Sequence, residues 1–130
     1  TAGTWGINAA VSEERALNRN ITQCCIFLGK GNYVCVDSAP TSCSNLMTEE
    51  VMKLRQGISF EEVNAGIRRT KVDPDLLFLP YAYQPMDLKE IRGGFVGRNG
   101  MHSWEECMRA VYEGIVFEHT RRILVIDTSL

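Results

Sequence analysis

The chain has 130 residues, enough for one compact domain, since domains cluster at about 100–150 residues. Fourteen Lys and Arg against sixteen Asp and Glu leave a net charge of −2, so no basic excess exists to hold a nucleic acid. Apolar residues at 45% and charged ones at 23% exclude a disordered chain, and runs such as Cys24 to Leu28 fall far short of a membrane span, which takes about 20 apolar residues.

The opening residues carry no charged region followed by an apolar stretch, so no signal peptide is expected. Five cysteines lie at 24, 25, 35, 43 and 107, an odd count without a C-x-x-C. That usage suits buried free thiols in a reducing compartment, and the cytoplasm is the expected location. The two histidines, His102 and His119, have no second ligand at metal spacing, so no metal site is expected.

The first third reads as strands: Gly3 to Ala10, Thr22 to Leu28 and Tyr33 to Val36. Ser12 to Asn20 is polar and reads as a loop with a partial helical turn. Gly29-Lys30-Gly31-Asn32 suits a β-hairpin turn, so the three strands are expected to form an antiparallel meander. After Pro40 the pattern turns helical, with Met47, Val51, Leu54 and Ile58 on one face of a helix ending near Gly57. Ser59-Phe60-Glu61-Glu62 matches a capping box opening a second helix through about Arg69. Pro74 blocks its extension, and Leu76 to Leu79 reads as a short buried strand. Ser103-Trp104-Glu105-Glu106 is a second capping box. Behind it Trp104, Cys107, Met108, Val111, Tyr112, Ile115, Val116 and His119 trace a helical stripe, predicting a helix over 103–122. Arg121 and Arg122 would then complement the dipole in its last turn. Ile123 to Ile126 reads as strand-like.

The common nucleotide loops are absent: there is no G-x-x-x-x-G-K-[ST], and Gly29-Lys30-Gly31 leads into a strand. No Ser, His and Asp set can be assembled by spacing. The carboxylate pairs Glu49-Glu50, Glu61-Glu62 and Glu105-Glu106 fall in or near first helical turns, where they balance the dipole. Three places could hold a ligand. Gly3-Thr4 beside the first strand offers close backbone approach and a hydroxyl donor. Thr41-Ser42-Cys43-Ser44-Asn45 places small polar residues at a helix N-terminus, where free amides favour an anion. Arg92-Gly93-Gly94-Phe95-Val96-Gly97 is a glycine-rich bend. Each also has a plain structural reading: a strand start, a helix cap and a tight crossing of strand and loop.

Their order along the chain is more telling. Ala2-Gly3-Thr4-Trp5-Gly6-Ile7-Asn8, Ala39-Pro40-Thr41-Ser42-Cys43-Ser44-Asn45-Leu46 and Leu77-Phe78-Leu79-Pro80-Tyr81 resemble successive blocks of the FGGY carbohydrate kinases. Arg92-Gly93-Gly94-Phe95-Val96-Gly97 and Arg109-Ala110-Val111-Tyr112-Glu113-Gly114-Ile115 continue the series, so the resemblance covers about residues 2–122. The opening block is most similar to pentulose kinases, L-xylulose kinases among them. The resemblance implies an α/β chain: a partial RNase H-like domain of the actin-like ATPase fold, its three-strand meander followed by helices. Residues 1–130 would be one incomplete domain, the first part of the C-terminal kinase domain. Family members transfer the γ-phosphoryl group of ATP, with Mg, to a sugar hydroxyl. By resemblance Gly3 and Thr4 match the second phosphate-binding turn, and Thr41 and Asn45 face the nucleotide. Gly94, Gly97, Glu113 and Gly114 match family positions with an architectural role.

Departures accompany the likeness. Ala82-Tyr83-Gln84-Pro85 stands where many members carry Gly-Glu-Arg-x-Pro, and residues 123–130 do not resemble the usual continuation. The family's catalytic aspartate and first phosphate loop belong before residue 1, so the parent protein is expected to be a kinase and this chain alone inactive. The expected partners are ATP and a small sugar, with no nucleic acid and no membrane. Exposed apolar surface and self-association as a homo-oligomer are also expected. The alternative is a non-catalytic interaction or regulatory module on a kinase-derived scaffold. A tight protein partner without nucleotide binding would distinguish it.

Overall fold

The computed structural model describes residues 6–15, 23–27, 32–39, 55–81 and 90–128. Three strands, β1 (Gly6–Ser12), β2 (Gln23–Phe27) and β3 (Asn32–Ala39), form one antiparallel sheet in the order β1-β3-β2. The expected β2–β3 hairpin is present, with Phe27 opposite Asn32. The expected meander is not: β3 lies in the centre and pairs with both neighbours, so β1 and β2 run parallel on either side of it. Strand propensity located the strands but carried no information about their order. β3 also extends past Val36 to Ala39, the length needed to pair all seven residues of β1.

The helix expected over Met47 to Gly57 lies outside the described residues except at its end. There Gly57 adopts a φ of 77°, the left-handed conformation that favours glycine just past a helix. Helix α1 (Phe60–Arg69) opens on the expected capping box: Ser59 Oγ accepts from the Glu62 amide, and the Glu62 carboxylate accepts from the Ser59 amide. Val63 and Gly66 face inward, and Ile67 packs beside them. Strand β4 (Leu77–Leu79) pairs with β5 (Gly94–Val96), a strand inside the glycine-rich bend that the sequence reading treats as irregular. Alternation turns Phe78 inward against Phe95, their ring centroids 4.8 Å apart, while Leu77 and Leu79 stay exposed. β4 is therefore half-buried, not buried throughout.

Helix α2 (Trp104–Asp127) opens on the second capping box, Ser103 with Glu106. Its 24 residues span about 36 Å at 1.5 Å per residue, long enough to pack on α1 and β4 at one end and on β1 and β3 at the other. This corrects two expectations. Ile123 to Ile126 is the final part of the helix, because Ile126 continues the buried face of Met108, Val111, Gly114, Glu118 and Arg122. Helical hydrogen bonding satisfies that backbone without a strand partner, and Thr128 closes the end by donating its hydroxyl to the Leu124 carbonyl. The last turn consequently contains no basic residue, and Arg122 is drawn inward. Val116, expected on the inner stripe, is exposed together with Phe117, Ile123 and Leu124 on the opposite side of α2.

The core comprises Ile58, Val63, Leu76, Phe78, Met108, Ala110 and Val111, so it sits between α1, α2 and β4. Arg109 clamps these helices together. Its Nε donates to Glu113 at 2.8 Å, and one guanidinium nitrogen donates to the carbonyls of Ile67 at 3.2 Å and Thr70 at 2.9 Å. Those carbonyls lie at the C-terminal end of α1, where Ile67 also accepts from the amide of the cap residue Thr70 at 3.2 Å. Arg109→Ala is expected to cost about 1–2 kcal/mol in urea denaturation, given that hydrogen bonds to charged groups contribute about 1.5–3 kcal/mol and the site is partly solvated. Arg109→Lys should recover only part of that, since an ammonium lacks the planar fork. An unchanged midpoint in Arg109→Ala would show the clamp to be idle. Among the described residues Cys35 and Cys107 are buried, and no helix is long and apolar enough to cross a membrane.

Candidate functional site

The register between β1 and β3 pairs Gly6 with Ala39. Because these strands are antiparallel, the chain entering β1 and the chain leaving β3 do so at the same end of the sheet. Thr4 lies two residues before Gly6, and Thr41 two residues after Ala39. At about 3.6 Å per extended residue, each Cα is tied to within about 7 Å of a paired strand residue. Gly3, Thr4, Thr41 and Asn45 themselves lie outside the described residues.

The glycine-rich bend is occupied by backbone. A Cβ on Gly97 would run into the carbonyl oxygen of Asp75, and one on Gly93 would come within 2.8 Å of the Leu79 carbonyl oxygen. Gly97 and Gly94 have φ values of 78° and 149°, which L side chains rarely adopt. On α2, a Cβ at Gly114 would meet the carbonyl oxygen of Phe78. These glycines let β5, β4 and α2 pack at backbone contact, and Glu113 accepts from Arg109. The bend is a crossing of packed elements, not a cradle for phosphate.

The sequence reading missed a buried charge cluster. Glu118 is 2% exposed and Arg122 is 3% exposed, at i and i+4 on the inner face of α2. The Glu118 carboxylate accepts from Arg122 Nε at 2.9 Å, from Arg121 through two nitrogens at 2.8 Å each, and from the Tyr81 hydroxyl at 3.0 Å. Burial pushes the Glu118 carboxyl upward, but the hydrogen bonds and charges of the two arginines outweigh it and hold the group below its ordinary value. Burial beside this carboxylate raises the Tyr81 phenol. With four donors on its oxygens, Glu118 anchors Tyr81 to α2 and has no basic capacity to offer a substrate. The signal was available: positions 118 and 122 continue the period of Met108 and Val111. A groove of about 170 Å³ runs beside the cluster, lined by Leu77, Leu79, Gly114 and Phe117.

Two histidines link elements and stand apart from one another. His102 Nδ1 accepts from the Asn99 amide at 3.0 Å, so its proton lies on Nε2, which donates to Asp73 at 3.0 Å. His119 Nδ1 lies 3.1 Å from Asn8 Oδ1, joining α2 to β1. Neither belongs to a metal cluster; among the described residues no group of three His, Cys, Asp or Glu could hold an ion.

The chain matches no protein-family model. It is 30% identical over 122 residues to an L-xylulose/3-keto-L-gulonate kinase of Escherichia coli (strain K12), covering 90% of this chain and 24% of that protein. It is 25% identical over 131 residues to a probable L-xylulose kinase of Haemophilus influenzae, covering 95% of this chain and 26% of that protein. The chain is homologous to the FGGY carbohydrate kinases. It spans about a quarter of the length of the curated relatives it matches. Solved structures share the fold of this segment. A xylulose kinase from Rhodospirillum rubrum superposes with a TM-score of 0.84 at 18% identity, over 98% of this chain and 26% of that one. A Plasmodium falciparum glycerol kinase with ADP gives 0.78 at 18% identity, over 98% and 26%. The present α/β segment therefore has the fold of the corresponding part of these kinases.

Proposed function

We propose that this segment belongs to an ATP-dependent carbohydrate kinase and forms part of its nucleotide-phosphate wall. The observation that supports this reading is the pairing of Gly6 with Ala39, which sets the chain entering β1, after Gly3-Thr4, and the chain leaving β3, before Thr41, at the same end of one sheet. The named relatives favour a pentulose-like acceptor, since both carry L-xylulose kinase in their names.

Gly3, Thr4, Thr41 and Asn45 supply hydroxyl, amide and backbone donors and no carboxylate. That set suits phosphate oxygens and not magnesium, which prefers carboxylates, phosphates and water. Magnesium, when bound, neutralises charge on the phosphates; no residue of this chain is assigned to it. Phosphoryl transfer depends on positioning and charge stabilisation, and the chain's contribution is to fix donors around the transferred group. Gly3 allows close backbone approach, and the Thr4 hydroxyl donates to a phosphate oxygen as its charge changes in the transition state. Thr41 and Asn45 orient the nucleotide from the neighbouring stretch. The general base that accepts the sugar proton belongs to another part of the polypeptide.

In a polypeptide extended to the length of the relatives, L-xylulose-dependent ADP production is the direct test, and the 130-residue chain is expected to be inactive by itself. Thr4→Ala in the extended enzyme should lower kcat on the order of 10²-fold, the effect of losing one preorganised donor. An unchanged kcat would remove Thr4 from the phosphate wall.

A further inference from the structure

We propose that the outer face of α2 between Val116 and Leu124 is a docking surface for an amphipathic helix supplied by the remainder of the kinase polypeptide. The inference rests on the reading of this chain as a segment of a longer kinase, and it adds an internal contact to that reading. In its second half α2 is apolar on both sides. Its buried side runs through Val111, Gly114, Glu118, Arg122 and Ile126. On the opposite side Val116, Phe117, Ile123 and Leu124 are each more than half exposed. Thr120 completes that row, and its hydroxyl already donates to the Val116 carbonyl at 2.9 Å, so it can be covered without losing a hydrogen bond. No charged side chain is exposed between Val116 and Leu124. A surface helix keeps one side polar, whereas a helix apolar all round belongs in an interior.

The first half of the same face shows what kind of element fits. Glu105, Arg109 and Tyr112 precede Val116, Thr120 and Ile123 at steps of three and four residues, so the six positions share one helical face. The first three meet α1. A Cβ on Gly66 would lie 3.1 Å from Glu105 Cγ, Arg109 donates to the carbonyls of Ile67 and Thr70, and Tyr112 donates to Asn64 Oδ1 at 3.0 Å. The ten residues of α1 span about 15 Å against about 36 Å for α2, too short to cover both halves. Beyond α1 the face turns apolar and stays exposed. Its ridge of Val116, Thr120 and Ile123 suits the groove of a second helix.

Size favours a helix from the same polypeptide over a separate molecule. Phe117 is 60% exposed and so presents on the order of 100 Å² of a side chain that can bury about 150–250 Å². With its three apolar neighbours the patch falls in the range of about 300–600 Å² that is often functional. Stable complexes between separate molecules bury about 800 Å² on each. A smaller patch does not offset the translational and rotational freedom lost on association, but a tethered helix is already held nearby. The relatives have the length to supply one, since this chain covers only 24% and 26% of them.

The test is hydroxyl-radical footprinting of the 130-residue chain and of the polypeptide extended to the length of the relatives, each at two protein concentrations. Oxidation is read at Phe117 and Leu124 by tandem mass spectrometry. Both side chains should oxidise readily in the short chain and several-fold more slowly in the extended polypeptide at either concentration. Phe117→Lys with Leu124→Lys should leave the urea midpoint of the short chain unchanged and lower that of the extended polypeptide. In that extended variant the released helix should reveal itself as newly oxidised apolar side chains at three- and four-residue spacing. L-Xylulose-dependent ADP production on the same extended preparation reports the kinase reading separately. Protection without activity would sink that reading and keep the docked helix, and activity with undiminished oxidation would do the reverse. Equal oxidation in the two lengths, new oxidation at alternate residues as in a strand, or protection confined to the higher concentration, as from a second copy, would each overturn the proposal.

Discussion

Gly114→Ala is expected to lower the urea midpoint of unfolding, although alanine is the better helix former. In an exposed helix the exchange would stabilise by about 0.8–1.0 kcal/mol, because glycine surrenders more backbone entropy. At this position the new Cβ would meet the carbonyl oxygen of Phe78, a backbone atom that cannot rotate aside. Relief requires α2 and β4 to separate, which loosens Val111 and Met108 from Phe78 in the core. Overpacking of this kind costs about 1–3 kcal/mol and sometimes more, so the net sign is destabilising. Gly114→Val should exceed it, adding two methyl groups to the same contact, and is expected to abolish the cooperative transition. Gly100→Ala is the control: a Cβ there meets nothing within 4 Å, and its effect should stay within about 0.5 kcal/mol. A higher midpoint for Gly114→Ala would mean that the helix and β4 do not touch at this point.

The same residue shows what the sequence could and could not reveal. Both capping boxes were legible because Ser59 with Glu62, and Ser103 with Glu106, are local arrangements three residues apart. The positions of β1 to β4 were legible for a similar reason, since β-branched and aromatic residues mark pleated surfaces regardless of their partners, whereas β5 was hidden by the glycines around it. Strand order was not. Placing β3 between β1 and β2 depends on contacts made across the chain, which local propensity does not encode. Ile123 to Ile126 failed for a related reason: its residues favour a strand, but burial of Ile126 beside Arg122 extends the helix. For the proposed ligand site, Gly3-Thr4 and Thr41-to-Asn45 were legible as stretches with phosphate-compatible chemistry. Their connection through Gly6 and Ala39 came only with the register. Glu118 was missed because charged residues on a helix are usually solvated, and its partner Tyr81 is 37 residues away.

Glu118→Ala is expected to cost about 3–5 kcal/mol, the range for removing one partner of a buried ion pair. The carboxylate accepts hydrogen bonds from Arg122, Arg121 and Tyr81, and its loss removes a buried anion from beside a guanidinium that is 3% exposed. Tyr81→Phe removes one neutral donor and should cost only about 1 kcal/mol. Comparing the two separates loss of the anion from loss of a single hydrogen bond. The cluster also sets a pH dependence with a definite sign. The Glu118 carboxyl is held below its ordinary value, against burial, by the hydrogen bonds and charges of Arg121 and Arg122. Protons therefore bind the unfolded chain more readily than the folded one in the carboxylate range. Its stabilisation is complete above the ordinary glutamate value of about 4.3 and disappears as pH falls through the lower folded value. Asp73, Glu62 and Glu106 are also lowered, chiefly by backbone hydrogen bonds, and act in the same direction. The native chain should lose urea stability steeply below about pH 4, and Glu118→Gln should show a shallower loss over that interval. Parallel pH profiles for the native chain and Glu118→Gln would assign the acid sensitivity to the exposed carboxylates alone.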